Sequence, residues 1–154
     1  MIRNAVPEDA DGIARIFLES AEYHAELDPE RYLIPAVETI VARYRNVPAG
    51  SDVLILVAEL NGEIVGFLDA RLEHSPDAMH RDMTFCHIAE VAVRLSSRSQ
   101  GIGGRLLSAA EDWGRQRGAE FASLEYHDAN TRAGSFYRDR MGYRSASVTV
   151  LKRL

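Results

Sequence analysis

A glycine-rich segment at residues 98–104 has the composition of an anion-binding turn. Glycine permits positive φ angles and lets a bound group approach the main chain closely. The first N–H groups of a helix have no intrahelical acceptor, and the helix dipole makes that end positive. A turn of this kind that leads into a helix can therefore bind a phosphate, with Arg98 as a further positive charge. Such a turn can also serve chain geometry alone, and its spacing does not distinguish the two uses.

Two common phosphate-binding motifs do not fit these glycines. A P-loop needs a lysine directly after its last glycine, and none follows here. A dinucleotide-binding fingerprint that starts at Gly101 needs a glycine where the chain has Leu106. What remains is a turn that holds a pyrophosphate without a lysine or a metal ion.

A second segment, residues 130–143, combines polar and aromatic side chains. Its pattern N-x-x-A-x-x-F-Y is formed by Asn130, Ala133, Phe136 and Tyr137, and a Gly-Tyr pair ends it. With the glycine turn, this segment resembles the GNAT superfamily of acetyl-CoA-dependent N-acetyltransferases. The first motif of that family is [RQ]-x-x-G-x-[GA], and residues 98–103 match it as Arg-Ser-Gln-Gly-Ile-Gly.

The resemblance extends over essentially the whole chain. Val93 lies five residues before Arg98, where the family has a valine at a strand end, and residues 2–10 are similar to the family's usual opening. Two positions differ from the pattern: Leu95 stands where a proline is usual, and Ser99 stands where a glycine is common. Neither difference removes a main-chain N–H donor.

The resemblance implies one acetyltransferase domain over residues 1–154, an α/β fold with a mixed, central splayed sheet and helices on both faces. It also implies acetyl-CoA as co-substrate and no metal ion. The pantetheine arm would lie where the strand that ends at Val93 separates from the strand that begins at Phe121. The implied cofactor-binding residues are Val91, Ala92, Val93, Arg98, Ser99, Gln100, Gly101, Ile102, Gly103, Gly104, Asn130, Ala133, Phe136 and Tyr137.

Acetyl transfer to an amine is aminolysis of a thioester. A neutral amine attacks the carbonyl, an oxyanion develops, and a thiolate leaves. By the resemblance, the N–H group of Val91 or a close neighbour would stabilise the oxyanion, and Tyr137 would protonate the sulfur. Without the motif, Tyr137 is a packed helix tyrosine whose hydroxyl has a partner.

Two residues on the strand before Val93 are candidates for the base that takes the amine's proton. His87 and Glu90 stand where members of this family carry acids or a histidine, and an unperturbed histidine pKa of about 6.5 suits proton transfer at neutral pH. On a strand without a bulge these two side chains face opposite sides. An ordered water is the alternative carrier of the proton, which would leave both residues structural.

Hydrophobic periodicity predicts the elements that hold these residues. The order is strand, two helices, hairpin, strand, helix, strand, helix and final strand, which requires a mixed sheet with helices on both faces. Asn61-Gly62 between two apolar runs is a strong hairpin signal. The predicted strands are 2–5, 53–60, 63–72, 83–93, 121–126 and 143–152, and the predicted helices begin near residues 7, 37, 104 and 130. A turn is predicted at residues 48–51.

Composition limits the function classes. A chain of 154 residues with 46% hydrophobic and 27% charged residues suits one globular domain. A formal net charge of −5 disfavours nucleic-acid binding, which needs a basic surface. We expect neither a membrane span nor a signal peptide, because the chain has no apolar run of about 20 residues and no basic-then-apolar start. A cytoplasmic protein is expected.

The single cysteine, Cys86, cannot form a disulfide within the chain, and we expect a reduced, structural thiol. A catalytic thiol is the alternative. His74, His80 and His127 have no metal-ligand spacing with cysteines or acids, so no metal site is expected.

These motifs do not define the acceptor amine or the partners of the chain. In the family the first two helices border the acceptor, where Glu19, Glu22 and Glu26 would attract a cationic amine, but the same acids also fit a solvated helix face. Non-catalytic acyl-CoA binding is the competing function. The last predicted strand could pair with a second subunit and make a homodimer.

Overall fold

The computed structural model describes residues 1–47 and 50–154, and its elements follow the predicted order as far as the last helix. The strands are β1 (Ile2–Asn4), β2 (Val53–Leu60), β3 (Glu63–His74), β4 (Thr84–Val93) and β5 (Phe121–Leu124). The helices are α1 (Ala10–Leu27), α2 (Val37–Arg45), α3 (Ile102–Gln116) and α4 (Thr131–Ser135). Part of the turn predicted at residues 48–51 lies outside the described residues.

The five strands form one sheet in the order β1-β2-β3-β4-β5. The first four are antiparallel neighbours, whereas β4 and β5 are parallel, because α3 connects them as a crossover. The predicted mixed sheet is therefore confirmed. The predicted hairpin is confirmed as well, since Asn61 and Gly62 both have left-handed φ angles, 52° and 81°, as a two-residue type I′ turn requires.

Each face of the sheet is covered by helices. On one face α3 contributes Leu106 and Leu107, which are completely buried. On the other face α1 and α2 pack around Phe67 of β3, also completely buried. The next residue, Leu68, packs against the α3 side. This alternation along β3 is what a strand buried on both faces requires.

The helix α3 lies very close to β4 at Gly114. A Cβ atom added there would lie 2.5 Å from the Cβ atom of Cys86, whose side chain is 1% exposed. The thiol donates to the Ala110 carbonyl at 3.4 Å, and burial raises the pKa of Cys86 to about 11. Cys86 is thus packed, protonated at neutral pH and structural in its contacts.

The structure differs from the sequence prediction mainly near the C-terminus. The strand predicted at 143–152 is wrong for the single chain: residues 144–154 make no main-chain hydrogen bond to any described residue, and a strand needs such a partner. The strand predicted to end at residue 126 ends at Leu124. The helix predicted over residues 130–141 consists of α4 followed by a π-helical turn, Phe136–Arg140.

We expect Gly114→Ala to lower the free energy of unfolding by about 1–3 kcal/mol, because the new methyl group overlaps Cys86. Alanine favours a helix over glycine by roughly 1 kcal/mol, so a net loss reports the overlap. Urea unfolding measures the effect. Ser108→Ala, at an exposed site of the same helix, is the matched control and should not lose stability. Equal stability of both variants would contradict the close approach.

Candidate active site

The strands β4 and β5 pair over four residues only and then separate. Their parallel register runs from Phe85 opposite Phe121 to Ile88 opposite Leu124. Beyond that point residues 89–93 of β4 have no β5 partner among the described residues, although β3 still pairs with β4 as far as Val93. The expected splay is therefore present. It leaves one side of the β4 main chain free to bind an extended ligand as an added strand would bind.

A β-bulge at Ala89 determines which β4 side chains share a face. Asp69 of β3 lies opposite Glu90, while the next residue, Ala70, lies opposite Ile88, so Ala89 is the extra residue. The predicted opposite orientation of His87 and Glu90 holds for a strand without a bulge. The extra residue reverses the alternation and turns both side chains away from α3.

The cavity beside this bulge includes Glu90 in its wall but not His87, as far as the described residues go. His87 lies where β4 and β5 still pair, and its Nδ1 atom is 3.1 Å from the Ser123 hydroxyl. Glu90 lies just beyond the last paired residue, where the strands separate. Of the two candidate bases, Glu90 is the one that faces the open space.

Burial and neighbouring charges together set the protonation of Glu90. Burial raises the pKa of its carboxyl group; the positive charges of Arg43 and His24 lower it, and the carboxylate of Asp69 raises it. Arg43 donates to the Asp69 Oδ2 atom at 2.9 Å, and that aspartate is 4% exposed. Arg43 therefore offsets two neighbouring carboxylates, which would otherwise repel each other across the strand pair.

The other predicted catalytic residue, Tyr137, also lies in the cavity wall. Burial raises its pKa to about 12, and the negative charge of Glu90 adds to this effect. The phenol is consequently protonated at neutral pH and can donate a hydrogen bond. Rings surround it, with centroid distances of 5.7 Å to Tyr126, 5.3 Å to Phe136 and 6.0 Å to Tyr143.

The start of α4 holds Tyr137 in place. The side chain of Asn130 caps this helix by accepting a hydrogen bond from the Ala133 N–H at 3.1 Å. One turn later the Met141 N–H donates to the Phe136 carbonyl at 3.2 Å, which makes the π-helical turn that carries Tyr137. The resemblance implies that Asn130 contacts the pantetheine arm or positions the following helix, and this cap is a contact of the second kind.

The glycine turn presents a row of free main-chain donors. Among the described residues, the N–H groups of residues 99–104 make no hydrogen bond. Ser99 and Gly101 have left-handed φ angles of 66° and 74°, which explains why glycine is common at the first of these positions. Arg98 donates from Nε to the Val93 carbonyl at 3.0 Å and so ties the turn to the end of β4.

Two more of the predicted cofactor residues, Ile102 and Gly103, lie where this turn becomes α3. Ile102 is 5% exposed, and its side chain belongs to the core, so it can offer only its main chain to a ligand. A Cβ atom added to Gly103 would lie 3.6 Å from the Phe136 ring and 3.7 Å from the Val93 side chain. The turn, the end of β4 and the helix of the second motif are thus in contact.

The acidic side chains of α1 do not line the cavity, in contrast to one expectation from the sequence. Glu19 accepts a hydrogen bond from the Leu95 N–H at 3.0 Å, a bond that the family's usual proline could not make. Glu22 and Glu26 are exposed. The α1 residues in the cavity wall include His24 instead.

A pair that the sequence analysis missed, Asp28 and His127, links the end of α1 to the loop after β5. The Nε2–H of His127 donates to the Asp28 carboxylate, which can only accept, at 3.1 Å. His127 and Tyr32 also line the cavity. No sequence motif marks this pair, because its members are 99 residues apart.

Within residues 1–47 and 50–154, no group of three or more histidine, cysteine, aspartate or glutamate side chains is placed to hold a metal ion. No helix in the same ranges has both the length and the apolar composition to cross a membrane.

We expect Arg43→Met to raise the pKa of Glu90 further. The substitution removes the positive charge that lowers this pKa most. The carboxyl carbon resonance of Glu90, followed by NMR against pH, measures this value. Arg45→Met is the matched control, since Arg45 lies on the same helix but pairs with Asp11. A Glu90 pKa that stays constant or falls in Arg43→Met would contradict the described electrostatics.

Known proteins are similar to this chain in sequence and in fold. The sequence model of the acetyltransferase (GNAT) family matches residues 13–143 of this chain. The uncharacterized N-acetyltransferase YhfO of Bacillus subtilis (strain 168) is 34% identical over 142 residues, which cover 92% of this chain and 88% of that protein.

Two solved structures show the likeness of the fold. The tetramutant of BH1408 protein from Bacillus halodurans has a TM-score of 0.91 at 22% identity, with 100% of this chain and 99% of that chain covered. Aminoglycoside N-acetyltransferase AAC(6')-Iy in complex with CoA has a TM-score of 0.76 at 16% identity, with 100% and 93% covered. From the family match and the YhfO relative together, the chain belongs to the GNAT family of acetyltransferases, enzymes that transfer an acetyl group to an amine.

Proposed function

We propose that residues 1–154 form one N-acetyltransferase domain in which a primary amine attacks acetyl-CoA directly within a ternary complex. The observation that carries this proposal is the position of the free N–H row of residues 99–104. This row lies at one end of residues 89–93, the part of β4 that has no β5 partner among the described residues. The cavity with Glu90 and Tyr137 in its wall begins at the other end of that part.

In this proposal acetyl-CoA binds along the opening between β4 and β5. Its diphosphate accepts hydrogen bonds from the main-chain N–H groups of residues 99–104, at the positive end of the α3 dipole. The pantetheine arm pairs with the main chain of residues 91–93. Ala133 and Phe136 border the cofactor on the α4 side, and Asn130 acts indirectly by capping that helix.

The reaction needs three groups besides the substrates. The N–H group of Val91 or a close neighbour stabilises the oxyanion that forms when the amine attacks the thioester carbonyl. The C–S bond then breaks, and Tyr137 donates its proton to the departing thiolate. Support for this role is the protonated phenol of Tyr137 in the cavity wall. Solvent returns a proton to the phenolate after the product leaves.

Glu90 is the favoured group to receive the amine's proton, directly or through a water molecule. A base must be ionised before it works, so activity falls as the pH drops through the pKa of Glu90. Because burial raises that pKa, the loss of activity begins at a higher pH than an ordinary glutamate, with a pKa of about 4.3, would give. His87 is the less favoured alternative, since Ser123 holds its ring.

The acceptor is a primary amine of a small molecule or of a protein. The protein works in the cytoplasm, where a lone buried thiol such as Cys86 stays reduced, without a metal ion and without nucleic acid. A homodimer is the proposed working form.

Binding and turnover test this proposal. Isothermal titration with acetyl-CoA is followed by assay of CoA release over a panel of amines. We expect binding and release with at least one amine. Tyr137→Phe should lower kcat by about 10²-fold or more and change the CoA dissociation constant less than twofold, while Tyr23→Phe, at an exposed site outside the cavity wall, serves as control. Binding without turnover on any amine would favour a sensing role, and equal kcat in Tyr137→Phe would remove the acid role.

We expect Gly103→Val to raise the dissociation constant of CoA by about tenfold or more, equivalent to at least about 1.4 kcal/mol. The added Cβ atom has room beside Phe136 and Val93, so the domain should fold, but the branched side chain covers the neighbouring N–H donors. Ser108→Val on the exposed side of α3 is the control for β-branching in this helix. Unchanged affinity in a folded Gly103→Val protein would argue against the phosphate site.

A further inference from the structure

A short 3₁₀ turn, Leu95–Ser97, connects the end of β4 to the glycine turn. Its hydrogen bonds run from the Ser97 N–H to the Arg94 carbonyl at 2.9 Å and from the Arg98 N–H to the Leu95 carbonyl at 3.4 Å. The Ser97 side of this turn is buried, since that residue is 7% exposed. Residues 94–98 are thus a compact unit, and the position of the glycine turn depends on how this unit is held.

The first N–H group of the 3₁₀ turn is bound by a residue of α1. The Leu95 N–H donates to Oε2 of Glu19 at 3.0 Å, between residues 76 positions apart in the sequence. An N–H at the start of a helical turn has no acceptor within the turn, and Glu19 supplies one from another element. Nε of Arg94 lies 3.9 Å from the other oxygen of the same carboxylate. Both oxygens of Glu19 therefore contact this unit.

The helix that carries Glu19 also borders the candidate active site. The cavity that contains Glu90 has four α1 residues in its wall: Phe17, Ser20, Ala21 and His24. Within residues 1–47 and 50–154, no other hydrogen bond joins α1 to residues 94–104. One bond thus links a wall of the cavity to the unit that leads into the free N–H row of residues 99–104.

This bond depends on the residue type at position 95. The proline that is usual there in the family pattern has no N–H and could not donate to Glu19. The Leu95 side chain is 66% exposed, so the residue contacts α1 through its main chain. The difference from the family pattern therefore adds a contact between two parts of the site.

We propose that Glu19 is a positioning residue that couples the glycine turn to α1 through its hydrogen bond to Leu95. This inference rests on the proposed function, in which the ligand of the glycine turn is CoA. When the diphosphate binds residues 99–104, residues 94–98 lose freedom of movement, and the bond to Glu19 restricts α1 as well. The coupling is reciprocal, so a ligand that holds α1 in place also strengthens CoA binding.

Leu95→Pro removes this one N–H with little other change. Proline suits the first position of a helical turn, and Arg94 before it has a ψ angle of 136°, in the range that a residue before proline prefers. The matched control is Leu95→Ala, which loses the exposed side chain but keeps the N–H. In the same way Glu19→Met removes the acceptor, whereas Glu19→Gln keeps an oxygen that can accept the bond.

Hydrogen exchange with and without CoA measures the coupling. In the wild type we expect saturating CoA to slow the exchange of the amides of residues 17–24 about fivefold, at the lower end of the usual range for coupled sites. The slowing should fall below about twofold in Leu95→Pro and Glu19→Met and should persist in Leu95→Ala and Glu19→Gln. A purely structural role of Glu19 would change exchange equally with and without CoA, and that result would overturn the proposal.

The double variant Glu19→Met/Leu95→Pro tests whether the two residues act through one bond. It should lose the effect of CoA on α1 to the same extent as either single variant, because each substitution removes the same interaction. A clearly larger loss in the double variant would show two separate contributions and overturn the proposal.

Titration calorimetry with CoA on the same samples separates this proposal from the proposed function. Wild-type protein that binds no CoA would refute the proposed function, and this inference with it. Wild-type protein that binds CoA without slower exchange in α1 would overturn the inference alone. Equal slowing in the wild type and in folded Leu95→Pro would do the same and leave CoA binding in place.

Discussion

The end of parallel pairing between Ile88 and Leu124 is the constraint on which the rest of the site depends. β3 holds the other side of β4 as far as Val93, so β4 stays extended while β5 leaves it. Free main-chain groups of the strand then lead into those of the glycine turn, and the Arg98 bond to the Val93 carbonyl fixes the angle between them. A ligand with an amide-bearing arm and a diphosphate matches this sequence of donors and acceptors.

The bulge at Ala89 adds chemistry to that frame. It places Glu90 at the point where the strands separate, next to Asp69 and within the field of Arg43. Burial and Asp69 favour the protonated form of Glu90, whereas Arg43 favours its carboxylate form. A residue of α2 therefore affects the pKa of a residue on β4, although the two are far apart in the sequence. The way α2 packs on the sheet consequently affects the charge of Glu90 in the candidate site.

Turns that depend on neighbouring residues could be predicted from the sequence, whereas contacts between distant segments could not. Asn61-Gly62 and the glycine turn were predicted because positive φ angles select their residue types. The bulge was not, since it depends on the register between β3 and β4. The pair of Asp28 and His127 needs the folded chain, and the predicted final strand is absent because residues 144–154 make no main-chain hydrogen bond to any described residue.

The packing of Cys86 against Gly114 makes its thiol unreactive, and this affects how the enzyme can be assayed. A thiol that is 1% exposed, with its pKa raised to about 11, offers almost no thiolate to an electrophile at neutral pH. Chromogenic disulfide reagents that detect liberated coenzyme therefore read product without a background from the folded catalyst. The same reagents would colour the unfolded chain, so their slow reaction with a stored preparation gives a direct count of denatured molecules.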